Sequence, residues 1–131
     1  MPSVLIETRR ETSTEHEEAL MEAVHMALRE AFKIKSDDKN VRLIAHEPHR
    51  FMCPPGKTNP ELYTHISIDA LAGRSLDVKR NLYQAIVKNL EPLGIPKDHV
   101  KVLLRDVPTS NWGIRGGQAA CDIDLGFKID V

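Results

Sequence analysis

The chain repeats itself, and that repeat constrains its fold more than any single motif. Val4 and Ile6 recur as Ile66 and Ile68, Ser13 as Ser75, and Leu20, Ala23, Val24 and Leu28 as Leu82, Ala85, Ile86 and Leu90. Ile34 then matches Ile95, and Pro48 matches Pro108. The offset drifts from 62 to 60 residues, as expected of an old duplication with loop trimming. Whatever unit the first half builds, the second builds again, and each unit has an apolar face that needs a partner.

The unit reads as strand, helix, strand. Residues 3–9 centre on Val4, Leu5 and Ile6, a short strand. Thr12, Ser13 and Thr14 are helix-start candidates, and Thr14 with Glu17 three residues on fits a capping box. Ala19, Leu20, Ala23, Val24, Ala27, Leu28, Ala31 and Phe32 pair every four residues, an apolar stripe along a helix of about five turns. After the polar break 35–40, residues 40–47 alternate as a second strand. Five prolines and glycines make 48–61 a connection (Pro48, Pro54, Pro55, Gly56 and Pro60). The pattern then restarts. His65–Asp69 alternates as a strand, Ser75 is the next cap, and Val78, Leu82, Ile86, Leu90 and Leu93 form the second stripe. Pro92 and Gly94 predict a helix end near Glu91, and Val100, Val102 and Leu104 a fourth strand. A helix between two strands in each half is compatible with a parallel crossover unit.

The tail departs from the repeat. Ile123, Leu125, Phe127, Ile129 and Val131 alternate with Asp122, Asp124, Gly126, Lys128 and Asp130, which predicts a strand or hairpin. An extra apolar edge on a small sheet invites another chain, so this segment is expected at a subunit contact. The expected organisation is one domain over 1–131, with halves at about 1–48 and 63–108 and an extension at 109–131.

Charge narrows the function. Eighteen Lys and Arg against nineteen Asp and Glu leave a net charge of −1, no electrostatic reason to expect nucleic acid or an acidic membrane as partner. No apolar run approaches the roughly 20 residues that span a bilayer. Met1-Pro2-Ser3-Val4 reaches Glu7 too soon for a signal peptide, and the two cysteines, Cys53 and Cys121, make no disulfide framework. The expectation is a reduced, cytoplasmic protein.

Four places can carry chemistry. Pro2 follows a methionine that aminopeptidase normally trims, leaving a secondary amine at the start of a strand. Burial near cations disfavours the charged form of such an amine and makes it a general base near neutral pH. If Met1 is retained, the Pro2 nitrogen is an amide and cannot act so. Arg74 lies just before the Ser75 cap, where an anion between guanidinium and helix amides fits a carboxylate substrate. The plainer alternative is a solvated loop arginine paired with Asp69 or Asp77. The segment Asn111-Trp112-Gly113-Ile114-Arg115-Gly116-Gly117 holds the only tryptophan and a second arginine, and reads as a pocket wall or a plain turn. Asp38 closes the connection after the first helix. His46, His49 and Cys53 have a spacing a metal can use but no evident fourth ligand, so no metal is expected. His16, His25, His65 and His99 fall on polar faces or element ends and suggest nothing.

Together, Pro2, the duplicated unit, Gly73-Arg74-Ser75 and the Asn111–Gly117 segment before an alternating tail resemble the tautomerase superfamily, over nearly the whole chain. The likeness is to its longer group, which contains malonate semialdehyde decarboxylase. The resemblance implies an α+β fold: two βαβ units packed antiparallel in one four-stranded sheet, two helices on one face, and a C-terminal strand or hairpin. It implies a homotrimer without cofactor, acting on a small carboxylate such as a 2-oxo acid. Pro2 carries over as the catalytic proline, Arg74 as the substrate-binding arginine, Asp38 as the catalytic aspartate and Trp112 as the active-site tryptophan. The decarboxylase has a second arginine two positions before the first, where this chain has Ala72; Arg115 is the candidate to replace it in substrate binding. The expected activity is enol–keto tautomerisation. The alternatives are decarboxylation or hydration of a three-carbon oxo acid, and a non-catalytic trimeric module.

Overall fold

A computed structural model describes residues 1–127 and 129. The first unit comprises β1 (Ser3–Thr8), α1 (Thr14–Phe32) and β2 (Val41–Ala45). The second comprises β3 (Thr64–Leu71), α2 (Leu76–Leu90) and β4 (Val100–Val107). All four strands join one sheet in the order β2-β1-β3-β4. β1 runs parallel to β2 and β3 parallel to β4, as a crossover connection through a helix allows. The halves meet where β1 and β3 pair antiparallel. That register displays the duplication. Val4 faces Ile68, the repeat-mate of Ile6, and Ile6 faces Ile66, the repeat-mate of Val4, so a local twofold passes through the Leu5–Ser67 pair.

Alternation sets which side of the sheet is buried. Val4, Ile6, Ile66 and Ile68 point to one face, and Leu20, Val24, Leu28, Leu82, Ile86 and Leu90 from the two helices cover it as one core. The other face carries Glu7, His65, Asp69 and Arg105, with Ile44 and Leu103 exposed. No helix among the described residues is long and apolar enough to cross a membrane.

Local signals chose the element ends, with one adjustment. The cap of α1 is Ser13, not Thr14: Ser13 Oγ accepts from the His16 amide, and Glu17 reaches back to the Thr12 amide at 3.2 Å. The two bonds bracket the helix start, but they are not the Thr14–Glu17 box that the spacing suggests, since Glu17 accepts from the residue before the cap. Ser75 caps α2 as expected, through the Val78 amide. α2 stops at Leu90, and a 3₁₀ turn over Glu91–Leu93 leads to Gly94 at φ +89°. The connection 46–63 is irregular and is held by Arg9, which donates to the carbonyls of Phe51 and Pro48 and pairs with Glu61 at 2.9 Å.

The extension differs from the expectation. It does contain a hairpin, but the strands are β5 (Gly113–Ile114) and β6 (Gln118–Ala119), upstream of the alternating run. Residues 123–127 form no strand. Alternation yields a strand only against a free neighbouring edge, and Gly126 at φ +78°, its amide bonded to Asp124 Oδ1, turns the chain there. The remainder of the alternation, at Lys128, Asp130 and Val131, lies outside the described residues.

Candidate active site

Antiparallel pairing of β1 and β3 brings the start of one beside the end of the other: Ser3 pairs with Asp69. The chain terminus and the β3–α2 connection therefore share one end of the sheet. Asp38 arrives from the loop after α1. That loop begins at Lys33, in the left-handed region at φ +57°, and its Ser36 carbonyl lies 3.1 Å from His25 Nε2. The Asp38 amide donates to the Lys35 carbonyl, and Asn40 returns the chain to β1 by accepting from the Val4 amide.

Arg74 lies in the connection, and its surroundings exclude a solvated loop arginine paired with Asp69 or Asp77. It is only 6% exposed, and its guanidinium carbon lies 4.2 Å from the centre of the Phe32 ring. Nη1 donates to the Leu71 carbonyl, the last residue of β3, at 3.2 Å. Nε and Nη2 are buried with no partner among the described residues. Asp69 and Asp77, its supposed surface partners, are taken by Arg105 and Arg80 at 2.6 and 2.8 Å. Burial holds the guanidinium below its usual proton affinity, opposed by Asp106 and Asp38. A buried cation with two unpartnered donor nitrogens is costly unless an anion completes it.

The terminal amine completes the cluster. Met1 N donates to Asp38 Oδ2 at 2.6 Å, while Asn40 holds Asp38 Oδ1 at 2.8 Å. Burial lowers the amine's proton affinity first of all; Asp38 opposes this and Arg74 adds to it. With Met1 in place the Pro2 nitrogen is an amide, and Pro2 itself is buried. Two recesses open here. One, about 490 Å³, is lined by Met1, Pro2, Asn40, Arg42 and Trp112. The other, about 240 Å³, is lined by Met1, Ile34, Asp38, Arg115, Leu125 and Phe127. Trp112 is fixed by its indole Nε1, which donates to the Val107 carbonyl at 3.2 Å.

Arg115 lies at the rim of the second recess, but its guanidinium is engaged. Nη1 donates to the Asp124 carbonyl at 3.0 Å and Nη2 to the Leu125 carbonyl at 2.9 Å. Sequence reasoning also missed two histidines. His25 and His99 are not on polar surfaces but buried, His25 beside the Asp38 loop and His99 accepting from the Asn59 amide. His25 sits between Val24 and Ala27 within the apolar stripe, which was the available signal. His46 and Cys53 turn to different partners, Glu7 at 2.9 Å and the Pro54 carbonyl.

Such an end of the sheet, with an N-terminal amine of reduced basicity, a carboxylate and an incompletely partnered guanidinium, is equipped for proton transfer on an anionic substrate. The chain belongs to the tautomerase family: a family model described as tautomerase enzyme matches residues 38–115, more than half of the chain. That match includes Asp38, Arg74, Trp112 and Arg115 but not Pro2. Among relatives, 2-hydroxymuconate tautomerase of Comamonas testosteroni is 40% identical over 50 residues, 37% of this chain and 79% of its own length. Among solved structures, FG41 malonate semialdehyde decarboxylase inhibited by 3-bromopropiolate is 26% identical, with a TM-score of 0.81 over 89% of this chain and 92% of its own. A fused 4-OT asymmetric trimer, 21% identical, shares the fold with a TM-score of 0.75 over 92% and 97% of the two chains.

Proposed function

We propose that this protein is a cofactor-independent tautomerase that interconverts the enol and keto forms of a small 2-oxo acid. The observation that carries the reading is Arg74, buried with Nε and Nη2 unpartnered at the end of the sheet that also holds the terminal amine and Asp38. The substrate carboxylate takes the two free donors. Once Met1 is removed, the Pro2 nitrogen is a secondary amine at this end of the sheet. It accepts the enol hydroxyl proton and delivers a proton to carbon, while Arg74 stabilises the charge that develops on the dienolate. Asp38 orients a polar group or water, and Trp112 lines the pocket and excludes solvent. Each subunit has one such site, because the second half begins internally at Tyr63-Thr64 with no free amine.

Assembly as a homotrimer in the cytoplasm is part of the same reading. The trimeric fused 4-OT of like fold supports it, as do the exposed Ile44 and Leu103 on the uncovered face of the sheet. Sedimentation equilibrium is expected to give three times the chain mass.

A second reading has its own support. Asp38, 2.6 Å from the terminal amine, opposes the effect of burial, and a Pro2 amine held by the same carboxylate stays protonated and acts as an acid. Decarboxylation or hydration of a three-carbon oxo acid then follows, in keeping with the likeness to FG41 malonate semialdehyde decarboxylase. Ala72 at the second-arginine position argues against it. The deciding experiment pairs intact mass with ketonisation of phenylenolpyruvate by the wild type and Pro2→Ala, and runs a malonate semialdehyde assay beside it. Loss of one methionine and a rate that falls at least about a hundredfold in Pro2→Ala are expected. Equal rates in the two proteins remove the role of Pro2, and turnover of malonate semialdehyde alone selects the lyase.

A further inference from the structure

Arg115 is one of two described non-glycine residues at positive φ, at +50°, the other being Lys33 at the end of α1. It opens a run of three left-handed residues with Gly116 at +85° and Gly117 at +90°, the turn joining β5 to β6. A glycine here avoids the steric cost of that conformation, so an arginine needs a use for its side chain. Its own carbonyl is held by Gln118 Nε2 at 3.0 Å, and the guanidinium is aimed at the chain after β6. There its fork bridges two successive carbonyls, Asp124 and Leu125. Two roughly parallel N–H···O bonds from one planar group fix both position and direction, which an ammonium cannot reproduce. Downstream, the turn at Gly126 places Leu125 and Phe127 against the recess that holds Met1 and Asp38. Ile129 then meets Gly73, the neighbour of Arg74.

We propose that Arg115 is a positioning residue, the latch that holds the 124–127 strap as one wall of the candidate active site, and not a cation that grips the substrate. This rests on the reading of that recess as the site. The strap has no strand pairing of its own, so the latch is its main polar attachment among the described residues. An apolar wall beside Met1 and Asp38 binds the non-carboxylate end of the substrate and excludes water from the proton transfer.

The test uses the full-length protein. Amide hydrogen exchange at Leu125, Gly126 and Phe127 is expected to accelerate about tenfold or more in Arg115→Ala while β1 and β3 amides keep their protection. Arg115→Lys keeps the charge but loses the planar fork that fixes two carbonyls at once, so it is expected to exchange more like Arg115→Ala than like the wild type and to raise KM for phenylenolpyruvate more than it lowers kcat. Phe127→Ala is expected to raise KM as well, and the double variant Arg115→Ala/Phe127→Ala no further, because both changes remove one wall. Unchanged exchange in Arg115→Ala overturns the proposal. So does wild-type KM in Arg115→Lys, or full additivity in the double variant, each of which marks a substrate cation. If the wild type does not ketonise phenylenolpyruvate, the functional reading fails alone, and the exchange measurement still decides the latch.

Discussion

Arg74 concentrates the tension between stability and function in one side chain. Its two orphaned donors cost about 1–3 kcal/mol each when buried, and the contact with Phe32 returns about 1–2 kcal/mol. Replacing it with a neutral chain of similar length, Arg74→Met, is therefore expected to raise stability by about 1 kcal/mol in urea unfolding while lowering kcat/KM at least about a hundredfold. A destabilised Arg74→Met would mean that the guanidinium serves the fold. The terminal amine shows a related effect. Burial lowers its proton affinity below the ordinary value of 8.0, so the folded state binds fewer protons than the unfolded one and stability rises with pH through the window between the two values. For a proline base under the same burial, kcat/KM is expected to rise with pH as the amine loses its proton, and the limb to shift in Pro2→Ala, whose trimmed chain carries a primary amine of different basicity. Pro2, Arg74, Asp38 and Trp112 were all nameable from sequence as individual residues. The burial of Arg74 was not, because it depends on where Phe32 of α1 lies against the β3–α2 connection.

At the level of elements, the connections decide more than the helices and strands they join. Gly73 is a clear case: its φ of +136° lies outside the range of L side chains, and an added Cβ would stand 2.9 Å from Ile129 Cγ2. Gly73→Ala is expected to cost about 1–3 kcal/mol in thermal or urea unfolding. The double variant Gly73→Ala/Ile129→Ala recovers only the contact part and leaves the backbone part. His25 governs the Asp38 loop in a similar manner. Removing its bond to the Ser36 carbonyl with His25→Ala opens a cavity in the core and is expected to cost about 2–4 kcal/mol. Helix and strand positions were readable because periodicity and caps are local. The strand anticipated in the tail is not formed over 123–127, where Gly126 turns the chain, and the rest of that run lies outside the described residues.

For the whole molecule, duplication makes both the scaffold and its asymmetry. The local twofold relates the halves closely in β1 and β3, yet only one half begins with an amine, and the place of Arg74 in the other is taken by Thr12. The two ends of the sheet are thus equivalent in backbone and unlike in chemistry. The core that joins the halves is shared, so Ile66→Ala or Ile86→Ala is expected to lower global stability by about 2–5 kcal/mol in a single cooperative transition. Two separated transitions would show instead that the halves unfold independently.

The sequence by itself determined the repeat, the order of strands and helices, the Ser75 cap and the family, because these follow from side-chain periodicity and from residues adjacent along the chain. Only the tertiary structure decided that β1 and β3 run antiparallel in a symmetric register, which residues close the recess, and what Arg115 holds. Those depend on contacts between residues far apart in sequence, such as Met1 with Asp38 and Gly73 with Ile129, whose distances no local pattern encodes.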